Sequence, residues 1–384
     1  MNTKNIDAAL SRRAVLRVVA AAAVLPGAGA FAQQGPIQIG CVLSLTGPGA
    51  GLGQPERNGV LLAEKEINDK GGVAGRPIKL LIEDDGSKPD IAKSKAEGLI
   101  FGEKVVVMVG PSLTASTGAI AAITNAERIA QVTFTGLGPV IEQSYKMLYH
   151  VLPPQVLNAR AMLEFATKSA KAKKIGVLHD TGYGQAVMAS LTSIASSYGI
   201  EFSVVERFEV GATDVSAHAA KVRAANPDIV FVVATSAVPF RNARQMKLAQ
   251  TIVSAIGSAS YEYVRGMGEF ADDIVFPEFV VGEDPLPRQA QFVELYRKTH
   301  NTLPKNFEAA GYDAVQMVAR AIAKAGPAAS REAIAVALRE PYQGAMAAYN
   351  FGAADMTGIE LSSYVYSRLD KGKFTRLPFK ATGA

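Results

Sequence analysis

Four hydroxyls fall within six residues in the run Gly110-Pro111-Ser112-Leu113-Thr114-Ala115-Ser116-Thr117. The run joins a Val-rich apolar stretch to a helical pattern, so it reads as a strand-to-helix turn. Free backbone N–H groups and the positive end of the helix dipole favour an anion at such a turn, and hydroxyls add donors. One capping Ser or Thr is enough to start a helix. Four hydroxyls point to a bound carboxylate, with Leu113 and Thr114 beside it.

The same run comes close to the nucleophile elbow G-x-S-x-G, with Ser112 at its centre, but Thr114 stands where the second glycine belongs and would crowd the turn. The four histidines are His150, His179, His218 and His300. Only His300 lies far enough downstream for the order of such hydrolases, and nothing else marks it as a base. No H-x-H or H-E-x-x-H spacing occurs, and Cys41 is the single cysteine. Asp84-Asp85-Gly86 lacks the ligand spacing of a calcium loop. The loop Gly47-Pro48-Gly49-Ala50-Gly51-Leu52-Gly53 gives G-x-G-x-x-G in no register, and there is no G-x-x-x-x-G-K-[ST]. The expectation is a protein without catalytic residues, metal or cofactor. An exported hydrolase using Ser112 is the competing class.

Other strand-end loops supply candidate walls for the same site: Gly49–Gln54, Thr135–Pro139, His179–Gly184, Ala234–Pro239 and Gly257–Tyr263. Tyr183 lies between a strand and a helix, where its ring could close over a ligand. Ser236 and Ser258 are the candidate contacts in the last two loops. In open α/β sheets ligands sit at the carboxyl ends of strands, near a topological switch point.

The elements that would carry these loops alternate along the chain. Strands are expected at Ile37–Leu43, Ile78–Ile82, Val105–Val109 and Gln131–Phe134, with helices near Pro55–Asp69, Pro89–Phe101 and Ala115–Arg128. The rhythm restarts after Pro153-Pro154, which reads as a linker. Strands then follow at Ile175–His179, Phe202–Phe208, Ile229–Ala234 and Ile274–Val281, and helices at Val156–Ser169, Gln185–Ser197, Val215–Ala225 and Phe240–Ala249. Val/Ile strands that each lead into a helix mark parallel sheets covered on both faces. Two doubly wound α/β lobes result. Three further helices, Arg288–His300, Phe307–Lys324 and Ser330–Arg339, need a sheet to cover and should return to the first lobe. A tail hairpin, Ser363–Leu369 with Lys373–Leu377, closes the chain. Several crossings between lobes make a hinge with a cleft.

The 384 residues are 48% hydrophobic and 20% charged, enough for substantial cores. Of 40 basic and 35 acidic side chains, Lys4, Arg12, Arg13, Arg17 and Asp7 precede residue 33. The remainder is two charges from neutral, which argues against a nucleic-acid or membrane-surface partner. The excluded stretch reads as an export signal. Ser11-Arg12-Arg13 leads into an apolar run, Ala14–Leu25, and Ala30-Phe31-Ala32 fits a signal-peptidase site. The paired arginines suggest twin-arginine export, an ordinary Sec signal being the alternative. The apolar run is short for a membrane span, which needs about 20 residues. Cys41 reads as a buried small hydrophobe, not a lipid-attachment site.

Several stretches share one known order. They are Ile37-Gln38-Ile39-Gly40 through Leu45-Thr46-Gly47-Pro48, Glu66-Ile67-Asn68-Asp69-Lys70-Gly71-Gly72-Val73-Ala74-Gly75-Arg76, and Ile82-Glu83-Asp84-Asp85-Gly86 with Pro89. His179-Asp180, Tyr183-Gly184 and Ala310-Gly311-Tyr312-Asp313-Ala314 continue it. This order resembles the substrate-binding proteins of branched-chain amino acid ABC transporters, a family of type I periplasmic binding proteins, over about residues 36–375.

The resemblance implies a periplasmic, monomeric binding protein whose two lobes close on a ligand and then dock on a membrane permease. Lobe 1 would comprise 35–152 plus 284–344, and lobe 2 would comprise 153–283 plus 345–384. By the same resemblance, the turn ending at Thr114 holds the ligand carboxylate, and Thr135 and Leu137 are the next strand-end contacts. Tyr183 faces the ligand from lobe 2, while Leu52 and Phe307 line the side-chain pocket.

Two departures matter. Leu137 replaces a hydroxyl, and Ala259 falls where amino-acid binders place an acid, with Glu262 the one nearby substitute. Desolvating an ammonium without a polar or anionic partner costs several kcal/mol. The expected ligand is therefore a small carboxylate without an α-amine, aromatic or aliphatic. Branched-chain amino acids are the alternative ligand, and a ligand-sensing receptor module the alternative role.

Overall fold

The computed structural model describes residues 35–382 apart from 136, 138–143, 327 and 353–357. The signal segment expected over 1–32 lies outside these residues, as do Gly136, Gly138 and Pro139 of the Thr135–Pro139 loop.

The first sheet is wholly parallel. It contains β1 (Ile37–Leu43), β2 (Ile78–Asp84), β3 (Met108–Val109), β4 (Gln131–Thr133) and β5 (Leu148–His150), in the order β2-β1-β3-β4-β5. Strand β1 is apolar on both faces. Ile37, Ile39, Cys41 and Leu43 enter one core, while Val42 enters another with Leu99, Met108 and Ile120. Helices α1 (Ala50–Asp69), α2 (Pro89–Glu97) and α3 (Thr114–Ala126) alternate with these strands.

After β5 the chain enters a second sheet through α4 (Gln155–Glu164). Strands β6 (Lys174–Asp180), β7 (Glu201–Phe208), β8 (Ile229–Val233), β9 (Ile252–Val253) and β10 (Ile274–Glu278) are parallel here. Strands β13 (Val365–Asp370) and β14 (Lys373–Leu377) add an antiparallel edge, giving β14-β13-β10-β9-β8-β6-β7. Helices α5 (Tyr183–Ile194), α6 (Ser216–Ala224), α7 (Val238–Gln245) and α8 (Tyr261–Met267) connect its strands. The strand-helix alternation thus yields two parallel-sheet lobes.

Between β10 and β13 the chain goes back to the first sheet through α9 (Ala290–His300), α10 (Asn306–Ala325) and α11 (Arg331–Ala337). Helix α10 lies along α1 at a separation only glycine permits. A Cβ on Gly59 would meet the Glu308 carbonyl oxygen at 2.0 Å, and one on Gly311 would meet that of Glu56 at 2.3 Å. The neighbouring Asp313 pins a hairpin, β11 (Tyr342–Gln343) with β12 (Ala348–Tyr349). Its carboxyl accepts from the Ala345 and Met346 amides at 2.7 and 2.8 Å and from the Tyr349 hydroxyl at 3.0 Å. Burial pushes the Asp313 pKa up to about 7.

The elements differ from expectation at several edges. Helix α1 starts at Ala50 rather than Pro55, because Gly49 already adopts helical angles and Pro55 is accommodated inside the helix. Strand β3 holds only Met108 and Val109 of the expected Val105–Val109. Helices α2 and α4 run on into π-helical turns at Gly98–Gly102 and Phe165–Ser169. Strands β5 and β9 and helix α8 were not anticipated. No described helix is long and apolar enough to cross a membrane.

Candidate functional site

A cavity of about 400 Å³ opens where the carboxyl ends of the strands of both sheets face each other. Pro48 and Gly49 follow β1, Ser112–Thr114 follow β3, and Phe134 and Thr135 follow β4. From the second sheet, Gly182 and Tyr183 follow β6, Thr235 follows β8, and Ile256 and Gly257 follow β9. Strand ends are where an open α/β sheet presents backbone donors and helix N-termini to a ligand.

Of the residues expected to bind, Leu52, Leu113, Thr114, Thr135, Tyr183 and Phe307 converge on this cavity. Leu137, Ser236 and Ser258 do not line it. The Leu137 side chain lies against α3, with Cδ2 3.5 Å from where a Cβ on Gly118 would stand. Thr235 takes the wall position expected of Ser236. The Ser258 hydroxyl points into the protein and donates to the Ala234 carbonyl at 2.6 Å, so Gly257 presents the loop instead. Ala259 is buried in the core of the second sheet, and Glu262 is exposed on α8. Among the described residues, no aspartate, glutamate, lysine, arginine or histidine lines the cavity. Among the described residues, no group of three His, Cys, Asp or Glu could hold a metal.

The polar end of the cavity is built on α3. This helix begins at Thr114 after extended Leu113, with no side-chain cap and no acid in its first turn. Its leading N–H groups are therefore left for a ligand. The Thr114 and Thr135 hydroxyls stand 2.9 Å apart above it. Helix α5 differs, because Asp180 accepts from the Gly182 and Gly184 amides at 3.0 and 2.7 Å and from the Thr235 amide at 2.9 Å. Of these two helix starts, the positive backbone field is therefore left open at α3.

Tyr183 closes the other side. Its hydroxyl oxygen accepts from the Gly257 amide at 3.1 Å, and a Cβ on Gly257 would stand 2.6 Å from the ring. Burial raises its pKa well above the ordinary value, so the phenol stays neutral and keeps a proton to donate. Below the floor, Ser112 accepts from the Ser44 amide at 3.1 Å and donates to Glu56 at 2.5 Å. Burial first, then the charges of Asp85 and Glu308, push Glu56 up to about 8, against the lowering effect of the Ser112 bond. An uncharged Glu56 does not repel an anion above it.

Sequence reasoning missed Gln155 and Asn158, which line the cavity from the first turn of α4. They follow Pro153-Pro154, read above as a linker. Two amides three residues apart at a helix start, directly after a strand, were the available signal. The remaining lining is largely apolar: Phe134, Leu152, Ala186, Val210 and Ile256.

Residues 36–372 match the family model described as periplasmic binding protein. The chain is 26% identical to the leucine-, isoleucine-, valine-, threonine- and alanine-binding protein of Pseudomonas aeruginosa, over 79% of this chain and 82% of the relative. It is also 26% identical to an amino acid binding protein of the same organism, over 89% and 92%. Among solved structures it is similar to the leucine binding protein LivK of Thermotoga maritima, with a TM-score of 0.77, 25% identity and 89% and 97% coverage. LivJ of Streptococcus pneumoniae, crystallised with isoleucine, has the same fold, with a TM-score of 0.79, 24% identity and 89% and 100% coverage. These relatives are named as binding proteins, not enzymes. A cleft between two parallel sheets with no charged side chain among its described lining residues, a helix start left open for an anion and a family match along nearly the whole described chain agree: the chain belongs to the periplasmic binding protein family.

Proposed function

We propose that this protein is the substrate-binding component of an ABC importer and carries a small carboxylate without an α-amine. Exported to the periplasm and cleaved after about Ala32, it acts as a monomer. It closes lobe 1 (35–152 plus 284–344) on lobe 2 (153–283 plus 345–384) and docks on a membrane permease. Thr114, with the first-turn amides of α3 and the Thr135 hydroxyl, takes the carboxylate. Leu52, Leu113 and Phe307 take the apolar body, and Tyr183 covers it.

The observation that carries this reading is that the described residues lining the cavity are uncharged. A carboxylate is compensated by a helix N-terminus and hydroxyls, but an ammonium would be desolvated with no anionic partner among the described lining residues, at a cost of several kcal/mol. A second reading, binding of branched-chain amino acids, is favoured by what the relatives' names say they bind.

A thermal-shift screen separates the two. A ligand at 100 times its Kd stabilises the fold by about 2.7 kcal/mol. Dye or calorimetric detection is needed, since the chain has no Trp. Shifts with aliphatic or aromatic acids and none with leucine, isoleucine or valine support the first reading; the reverse supports the second.

A further inference from the structure

Besides the Thr114–Thr135 pair, two polar residues of the cavity, Asn158 and Gln155, belong to a hydrogen-bonded chain with one possible direction. Tyr364, 2% exposed and with its ring packed on Phe279 at a centroid distance of 4.3 Å, donates its hydroxyl proton to Asn158 Oδ1 at 2.7 Å. That bond fixes the amide of Asn158, whose Nδ2 donates to Gln155 Oε1 at 3.0 Å. The reverse arrangement, with Asn158 donating to Tyr364, would leave a buried phenolic proton without an acceptor, since Tyr364 donates to no other group among the described residues. Burial also holds the phenol in its protonated form. Gln155 Oε1 is therefore committed to Asn158. Gln155 lines the cavity, and its Nε2, with two N–H groups, has no protein acceptor among the described residues.

A second observation agrees in sign. Gln155 is the first residue of α4, whose N-cap is Pro154, with no side-chain cap and no acid in the first turn. The dipole end and the side-chain amide both favour acceptor oxygen over any donor.

We infer that Gln155 is a ligand-binding residue that donates to a second oxygen on the ligand, outside its carboxylate. The ligand class is an acid carrying a further carbonyl, hydroxyl or carboxylate oxygen. This rests on the carboxylate reading above, and it deepens that reading from any small acid to one with two acceptor groups. An unpaired Nε2 would lose its hydration on closure, so plain acids bind less well.

The test is calorimetry on the purified protein with two matched pairs, hexanoate with 5-oxohexanoate and benzoate with 4-hydroxybenzoate. In the wild type, at least one oxygen-bearing member should bind tenfold or more tightly than its plain partner. Gln155→Leu should bring that pair within about twofold by weakening only the oxygen-bearing member. Gln155→Glu, which keeps the shape and replaces the donors by an anion, should weaken that member further. Equal affinities within both pairs in the wild type overturn the inference and leave the carboxylate reading standing, whether or not the variants fold. Equal weakening of both members by Gln155→Leu also overturns it, as a structural role would produce. Binding of leucine with none of the four acids overturns both readings.

Discussion

Ser112 Oγ lies 2.5 Å from Glu56 Oε2, so a hydroxyl in the floor of the ligand cavity is tied to a carboxyl that is wholly buried beneath it. The pair gives the floor a pH response. Asp85 and Glu308 face the same carboxyl and oppose its ionisation, as does burial, and the Cys41 thiol nearby is itself pushed far above its usual range. Glu56 is therefore uncharged at neutral pH and ionises only near pH 8.

The sign of its effect on stability follows from linkage. The folded pKa lies above the unfolded value of 4.5, so the contribution of Glu56 is fully present below pH 4.5. It is lost as pH rises towards 8 and is constant above that. Glu56→Gln should leave stability near pH 4.5 little changed and raise it at pH 8.5, with the advantage growing between those values. Thermal melts of both proteins from pH 4.5 to 9 test this; parallel curves would refute it.

Thr114→Ala should weaken carboxylate binding by about 1.5–3 kcal/mol, the range for a hydrogen bond to a charged group. Thr114→Ser should recover most of it, since the hydroxyl, not the methyl, faces its Thr135 partner. Calorimetry with the tightest acid from the screen measures both. Unchanged affinity in the alanine variant would remove Thr114 from the site.

Ser112 should not act as a nucleophile. Its proton is given to a buried carboxyl, and His300 lies at the end of α9, stacked on Tyr296 with centroids 4.3 Å apart, not in the cavity. Wild type and Ser112→Ala should hydrolyse p-nitrophenyl acetate at the same background rate. Turnover that disappears in the variant would revive the hydrolase class.

Gly311→Ala should destabilise the fold by about 1–3 kcal/mol, the usual cost of overpacking, because its Cβ would meet the Glu56 carbonyl oxygen at 2.3 Å. Urea unfolding measures it, and an unchanged midpoint would mean that α1 and α10 can separate freely.

That close contact also explains why part of the molecule was readable from sequence. The Gly311-x-Asp313 spacing serves two packing demands, helix approach and hairpin pinning, so its residues carry a strong signal. Strand β1, apolar on both faces, was located to the residue, as was β14. Strands β5 and β9 were missed because two or three residues are too few to show a period. That Thr114 and Tyr183 line the cavity was legible from their place at a strand end. Ser258 and Leu137 were not, because which way a loop side chain turns is decided by distant partners, Ala234 and α3. Gln155 was hidden for the same reason. Its role depends on Tyr364, 209 positions later in the chain.

The most direct measurement compares leucine with 4-methylpentanoate, the same molecule without its ammonium, by calorimetry on one protein preparation. With no anion among the described lining residues, the amine-free acid should bind at least tenfold more tightly. Tighter binding of leucine would contradict the account and return the protein to the amino-acid specificity of its named relatives.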